Sequence, residues 1–160
     1  MNLPKKKVIM IFFIVIAAIC LVVLLLMQFS TNHLMKELED AFYCTDYYIE
    51  ESTYNQDPEA YSSVQGKNYI PYDPNIPNIY AHFNFTGHFS ANESEIKTDL
   101  NLWRIFAWHN FSKGTMWIKY SVEVFNANGE RLTGSWDVTV RLSIQKTDGE
   151  WVVTHIDEAP

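Results

Sequence analysis

A run of twenty consecutive apolar residues near the start of the chain constrains the fold most strongly. It begins at Val8, ends at Met27 and follows a lysine cluster at residues 5–7. A helix of about 20 apolar residues spans the roughly 30 Å hydrocarbon core of a bilayer. The run holds no charge and no proline, so a helix satisfies its backbone hydrogen bonds internally, as a membrane span requires. We therefore predict that residues 8–29 form a transmembrane helix that contacts the lipid bilayer through this run.

The charges around the apolar run predict its orientation. Lysine and arginine favour the cytoplasmic side, so residues 1–7 are expected to be a cytoplasmic tail and residues 30–160 an extracytoplasmic domain. A secretory signal sequence is the alternative, but its apolar region is about 7–15 residues long and precedes a small-x-small cleavage site. The run here is longer and ends without such a site. The sequence therefore predicts an uncleaved, single-pass anchor in the cell membrane.

The residues after the run form one acidic domain. Three of the twelve basic residues precede the run and all nineteen acidic residues follow it, so the outer part carries ten more acidic than basic residues. This balance argues against nucleic acid as a partner, because nucleic acid requires basic patches. Cys44 is the single cysteine after the run, which excludes a disulfide framework within the domain. It is either a small buried thiol or a partner for a cysteine of another chain.

The first half of this domain is predicted to be helix and loop. Residues 30–51 carry apolar side chains at spacings of three and four, which is typical of an amphipathic helix. A short helix is expected over residues 58–65, because Asp57 suits an N-cap and Gly66 a helix end. Residues 67–78 contain three prolines, which exclude a helix and a central strand and predict an extended loop.

From residue 79 onward, apolar and polar residues alternate, which predicts strands. The first begins at Ile79 with Phe83, Phe85 and Phe89 on one face, and four more are expected over residues 100–109, 115–125, 132–145 and 151–157. The strand over residues 132–145 is expected to direct Trp136 and its alternating aliphatic residues to one face. Short turns join the last four strands into an antiparallel meander. We predict an α+β fold in which a curved sheet of about five strands packs on the amphipathic helix.

This order of elements resembles the NTF2-like family, also described as the SnoaL-like or cystatin-like α+β cone. The resemblance rests on the final segment, Asp148-Gly149-Glu150-Trp151-Val152-Val153, and covers roughly residues 30–160. It departs from the usual layout at residues 67–78, which replace a more helical region. The family includes enzymes, small-ligand binders and interaction modules, among them membrane-anchored components of secretion and conjugation channels. The fold alone does not choose among these functions.

Three residues are candidates for ligand binding. His155 and Asp157 lie two residues apart on the last predicted strand, so they share a face about 7 Å apart. The resemblance implies that such a pair lies in the cavity of the cone, and the alternative is a solvated strand end. Arg104 either lines that cavity and binds an anionic ligand or forms an ion pair at the surface. A pocket of this kind is expected to be lined by aromatic side chains: Phe83, Trp103, Phe106 and Trp117.

The sequence contains no spacing typical of a catalytic or metal site. His82 and His88 share a predicted strand face, but six residues separate them by roughly 20 Å, too far to hold one metal ion. A phosphate-binding loop, a nucleophile elbow and a zinc-binding helix are all missing from the sequence. We therefore predict no catalytic residue, no metal and no cofactor.

Three tyrosines in and after the proline-rich loop, Tyr69, Tyr72 and Tyr80, are candidates for partner binding. Tyrosine is frequent at binding hot spots, and a loop stiffened by proline loses little entropy on binding. The alternative is that these side chains cover the open end of the cone. We expect a non-catalytic interaction module of a bacterial envelope or secretion-type assembly, which binds another protein or itself. A pocket that binds or converts a small ligand is the alternative function.

Overall fold

The computed structural model describes residues 5–44, 47–49, 69–71, 79–90 and 95–158. It begins with helix α1, Lys5–Ser30, which a break at Thr31 separates from helix α2, Asn32–Tyr43. Within these ranges, one helical stretch near the N-terminus, beginning at Lys6, is long and apolar enough to cross a membrane. The coarse prediction of an α+β chain with a long apolar helix at its start is therefore confirmed.

Helix α2 is amphipathic as predicted, and it buries Leu34, Leu38, Ala41 and Phe42. It ends at Tyr43, so the prediction of a helix that continues to residue 51 is wrong. Cys44 adopts an extended backbone conformation with φ −63° and ψ 126°. The next described residues form strand β1, Tyr47–Ile49, because consecutive aromatic and β-branched residues favour a strand over a helix.

Strand β1 pairs in parallel with strand β2, Tyr69–Pro71. The two make a separate two-stranded sheet, in which both strands are edges, so that Pro71 is tolerated there. The proline-rich segment thus contributes a short strand where the sequence predicted a loop. The helix predicted over residues 58–65 lies outside the described residues.

The strand predicted from Ile79 is wrong, because two short helices take its place: α3, Ile79–His82, and α4, Gly87–Ser90. Polar side chains between them bond the backbone. The Asn84 side-chain oxygen accepts a 2.8 Å hydrogen bond from the Gly87 amide, and such a local bond offers the backbone an alternative to a sheet ladder. The Thr86 hydroxyl donates to the Phe42 carbonyl of α2 at 2.9 Å, which attaches the segment to that helix.

Four long strands form the main sheet, which is antiparallel in the order β3-β4-β5-β6. They are β3, Ile96–His109; β4, Lys113–Asn126; β5, Arg131–Thr147; and β6, Glu150–Glu158. The four C-terminal strands predicted from alternation are therefore confirmed. The sheet has four strands rather than five, because the segment that begins at Ile79 is helical.

We call the face of this sheet that packs on α2 the inner face and the opposite one the outer face. The inner face carries buried residues from all four strands: Ala107, Met116, Ile118, Tyr120, Val122, Val124, Val140, Leu142, Ile144, Trp151 and Val153. Trp136, expected among the residues directed to one face of β5, is instead 52% exposed and lies over Gly134 on the outer face. The register shifts beside it, where Asp137 has a φ of +56°, and such a bulge redirects side chains.

An aromatic cluster fills the space between the inner face and the helices. The ring of Phe42 lies 4.8 Å from that of Phe83, 4.9 Å from that of Tyr120 and 5.9 Å from that of Phe85, measured between centroids. Phe42 and Phe83 are fully buried, and Tyr120 is 2% exposed. Aromatic side chains therefore occupy the centre of the inner layer.

Candidate functional site

Three large aromatic side chains lie together on the outer face, and we call Trp103, Phe106 and Trp117 the outer aromatic face. Phe106 pairs with Trp117 across β3 and β4, and Trp103 pairs with Lys119. Trp103 and Phe106 are each 37% exposed, and Trp117 is half-buried. Among the described residues of the four strands, every one on the outer face is at least partly exposed.

A β-bulge in β3 creates this group. The register shifts between Arg104, which pairs with Ile118, and Phe106, which pairs with Trp117. Without the extra residue, Phe106 would follow Arg104 onto the inner face, because side chains two apart share a face. The bulge therefore brings the Phe106 side chain next to Trp117.

Two ion pairs lie beside the outer aromatic face. The ammonium of Lys119 is 2.7 Å from a carboxylate oxygen of Asp137 and 5.6 Å from the ring centroid of Trp103. Arg141, the register partner of Trp117 on β5, forms an ion pair with Asp157. Such exposed pairs contribute little to stability. An aromatic centre with a polar, charged margin is the usual composition of a protein–protein interface.

Arg104 lies on the inner side of the sheet, at the junction of α1 and α2. Its guanidinium donates 3.0 Å hydrogen bonds to the Thr31 hydroxyl and the Asn32 side-chain oxygen. Burial lowers the pKa of Arg104. These contacts place Arg104 against the start of α2.

His155 and Asp157 lie on the outer face, opposite Ser143 and Arg141 of β5. His155 is exposed, and the Asp157 carboxylate accepts a hydrogen bond from Arg141. The structure therefore brings the two predicted ligand residues onto one face, as the strand period requires, but Arg104 is on the other face.

The aromatic residues expected to line a pocket do not share a cavity. Phe83 is fully buried in the inner layer, whereas Trp103, Phe106 and Trp117 form the outer aromatic face. The sheet separates the two groups.

The tyrosines predicted to bind a partner lie in different settings. Tyr80 is partly buried and packs against the core, and burial, followed by the carboxylates of Asp40 and Glu37, raises its pKa. Tyr69 is the first residue of β2, and Tyr72 lies outside the described residues. Partner binding by these tyrosines stays a prediction.

A polar cluster that the sequence did not predict lies at the end of β6. The Glu158 carboxylate accepts a 3.1 Å hydrogen bond from the Tyr120 hydroxyl, and the same oxygen is 3.1 Å from His82 Nε2. Burial, followed by the charge of Glu158, raises the pKa of Tyr120. His82 also lines a pocket of about 410 Å³ together with Asn84, Phe85, Phe89 and Thr133. Sequence spacing carries no signal for this cluster, because 76 and 38 residues separate the partners of Glu158 from it.

Polar contacts also attach the end of α1 to the edge strand β3, and we call them the helix–strand clamp. The Gln28 side chain donates a 2.7 Å hydrogen bond to the Ala107 carbonyl and accepts a 2.9 Å bond from the Ala107 amide. His109 Nε2 lies 2.8 Å from the Ser30 hydroxyl and 3.2 Å from the Met27 carbonyl. The Gln28 amide thus bonds the edge of the sheet in the way a further strand would.

No model of a known protein family matches the chain, and neither does a curated protein or a solved structure. The NTF2-like resemblance therefore stays a prediction, and the function has to be argued from the outer aromatic face and the polar cluster themselves.

Proposed function

We propose that this protein is a non-catalytic interaction module, held by α1 in a bacterial cell membrane with its α+β domain outside. In this role it belongs to an envelope or secretion-type assembly and binds another protein through the outer aromatic face. The observation that carries the proposal is the exposure of Trp103, Phe106 and Trp117 next to one another on a sheet whose other face already has a complete core.

Exposed aromatic side chains such as these raise the free energy of the domain in water. Apolar surface in contact with water is unfavourable by about 25 cal/mol per Å², and contiguous exposed apolar patches on soluble domains mark interaction sites. Among the described residues, the core between the inner face and the helices buries seventeen hydrophobic residues, and none of these three side chains belongs to it. Tryptophan is among the residues that dominate binding energies in interfaces.

The charges beside the patch favour a protein as the occupant. The pairs Lys119–Asp137 and Arg141–Asp157 offer both signs of charge next to the aromatic centre, as the margin of a protein interface does. The acidic balance of the domain disfavours nucleic acid. The resemblance to membrane-anchored assembly components supports the same conclusion.

Photo-crosslinking of the full chain in native membranes tests the proposal. The photoreactive residue p-benzoylphenylalanine replaces Phe106 in one sample and Asn128 in a matched control. Asn128 is exposed and lies in the turn between β4 and β5, away from the patch. We expect a discrete protein adduct at position 106, identified by mass spectrometry, and none at position 128.

Two results would contradict the proposal. One is a sample without any protein adduct at position 106, and the other is the same set of adducts at both positions. An adduct with a second copy of the chain would identify self-association as the function of the patch.

A small-ligand pocket is the second candidate function, and the cluster of His82, Tyr120 and Glu158 beside the 410 Å³ pocket favours it. Of these three residues His82 lines the pocket, next to Asn84 and two phenylalanines. An imidazole and an amide on a partly apolar wall are groups that orient a small polar ligand. The same photoreactive residue in place of Phe89, which lines the pocket, tests this function. A small-molecule adduct at position 89 without a protein adduct at position 106 would favour the pocket over the interaction surface.

A further inference from the structure

The turn between β3 and β4 lies beside the end of α1. We call residues 108–113 the aromatic hairpin, because they present Trp108 and Phe111. Trp108 is 56% exposed and Phe111 is 98% exposed. A phenylalanine that is almost wholly exposed at the tip of a turn is unfavourable in water.

Strand β3 runs along the helix toward the membrane. As β3 proceeds from Arg104 to Ala107 and His109, its contacts on the helices move from Thr31 and Asn32 to Gln28 and then to Met27. Met27 is the last residue of the apolar run. The hairpin tip, two residues beyond His109, therefore lies at the level where α1 would leave the hydrocarbon core.

The pattern of burial along α1 also places the hairpin beside the end of the apolar run. From Lys6 to Ser30, the partly covered residues are Leu24, Met27 and Gln28, and the rest are exposed. Their spacing of three and four places them on one face of the helix. Leu24 lies within the apolar run, so coverage of this face extends one helical turn into the predicted membrane span.

The hairpin is a tight and internally bonded structure. The Asn110 side-chain oxygen accepts hydrogen bonds from the amides of Ser112 and Lys113, each at 2.8 Å, and the Asn110 amide donates to the Lys113 carbonyl at 2.9 Å. A Cβ on Gly114 would collide with His109, so glycine permits the close approach of the two strands. Satisfied backbone groups reduce the cost of entering a region that is poor in water.

The turn between β5 and β6 lies at the same end of the sheet but differs from the aromatic hairpin in its charge and in its position along the helices. It carries Asp148 and Glu150, and the next residue, Trp151, has its carbonyl 2.8 Å from Nε2 of His33 on α2. The base of that turn therefore lies beside α2, beyond the end of α1. The aromatic hairpin contains no acidic residue, and Lys113 at its base is a side chain that keeps its charge in the headgroups while its stem is buried.

We propose that the aromatic hairpin inserts Phe111 and Trp108 into the headgroup region of the outer leaflet, as a second membrane contact beside α1. Aromatic residues are enriched at this depth, where their rings lie between lipid and water. The hairpin lies next to the end of the apolar helix, because His109 Nε2 is 2.8 Å from the Ser30 hydroxyl and 3.2 Å from the Met27 carbonyl, and this position makes the lipid bilayer the occupant. This inference rests on the membrane anchor of the proposed function.

Depth-dependent fluorescence quenching of the full chain in phosphatidylcholine nanodiscs tests the inference. The fluorescent residue acridonylalanine replaces Phe111, Phe13 or Asn128, one position per sample. Doxyl groups on the lipid acyl chains quench a probe in the bilayer, and iodide quenches a probe in water. We expect loss of fluorescence at position 111 with doxyl lipid and protection from iodide there, whereas the probe at position 128 shows the reverse.

The probe at position 13 separates the two proposals. Phe13 lies within the apolar run, so quenching there by doxyl lipid supports the span. Lipid quenching at position 13 with iodide quenching at position 111 would overturn the hairpin contact and leave the anchor intact. Protection of position 111 from both quenchers would mean that protein covers it, which also overturns the contact. Iodide quenching at position 13 would overturn the anchor and the hairpin contact together.

Discussion

The inner and outer faces of the main sheet are both rich in aromatic side chains, but only one of them is filled. On the inner face, Phe42 from α2 and Phe83 after α3 pack on Tyr120 with full or nearly full burial. On the outer face, Phe106 and Trp117 pair across two strands and stay partly exposed. Similar residue types thus serve stability on one side of a single strand layer and remain available for recognition on the other.

The comparison teaches that exposure, rather than composition, separates the core of this domain from the surface that we propose as its interface. Successive residues of a strand point to opposite faces, so each strand carries both kinds of surface at once. The bulge after Arg104 adds Phe106 to the outer aromatic face and interrupts the hydrogen-bond ladder between β3 and β4 at one position. We therefore expect substitutions on the outer face to affect the proposed binding without a large loss of stability.

The largest expected difference between the faces comes from matched truncations, Phe42→Ala and Phe106→Ala. We expect Phe42→Ala to lower the free energy of unfolding by about 3–5 kcal/mol, because it opens a cavity in the buried layer. Phe106→Ala should change it by less than about 1 kcal/mol, as for most exposed positions. Urea unfolding of the full chain in detergent micelles, followed by circular dichroism, measures both. Equal losses would show that the outer face is part of the folding core.

A smaller difference in the free energy of unfolding is expected between two substitutions that each remove a polar contact, one on the inner face and one on the outer face. Tyr120→Phe removes a nearly buried hydroxyl that donates to Glu158 and should cost about 1–2 kcal/mol, since the acceptor is charged. Arg141→Gln removes an ion pair whose side chains are 55% and 47% exposed and should cost roughly 0.5 kcal/mol or less. The same unfolding assay, repeated at high salt, serves as a check, because salt screens the exposed pair more strongly. A greater cost for Arg141→Gln would reverse the ranking of the faces.

The smallest change in stability is expected for the substitution Glu37→Gln on α2. Burial, followed by the carboxylates of Glu150 and Asp40, raises the pKa of Glu37, and His33 opposes the shift. A raised pKa means that the folded state disfavours the ionised form, so Glu37 costs stability once the pH exceeds its folded pKa. We therefore expect Glu37→Gln to stabilise the fold slightly at about pH 7 and to have no effect near pH 4, below the pKa of the unfolded carboxyl.

Thermal unfolding of the wild type and of this variant at the two pH values measures the effect, with the exposed Glu39→Gln as the control on the same helix. A stabilisation that persists unchanged at the lower pH would show that ionisation of Glu37 is not its cause.

Alternation predicted the four long strands well because each is half-buried, with one face on the core. The same pattern misled at residues 79–89, where Phe83 and Phe85 alternate with polar residues, but Asn84 bonds the nearby Gly87 amide and Thr86 bonds the Phe42 carbonyl of α2. The helix predicted to residue 51 failed for a related reason. The spacing of Tyr48 and Ile49 fits a helical stripe, but their intrinsic preference is for a strand.

The candidate site was less accessible to sequence reasoning than the fold. Alternation in β4 places Trp117 on the face opposite Met116 and Ile118, so the position of this member of the outer aromatic face follows from the sequence. The position of Phe106 depends on the bulge that turns it outward, and no residue pattern marks the place of that bulge. The contact of Glu158 with His82 joins residues that only the tertiary fold brings together.

The helix–strand clamp has a mechanical consequence. The paired hydrogen bonds of Gln28 hold the edge of the sheet to α1. The domain therefore rotates together with the helix about the helix axis. Successive residues of a helix are turned by about 100°, so adding or removing one residue in the apolar run would rotate the outer aromatic face by about that angle relative to the N-terminal part of α1. In the proposed membrane arrangement, the length of α1 therefore sets the side from which a neighbour of its N-terminal part would meet this face.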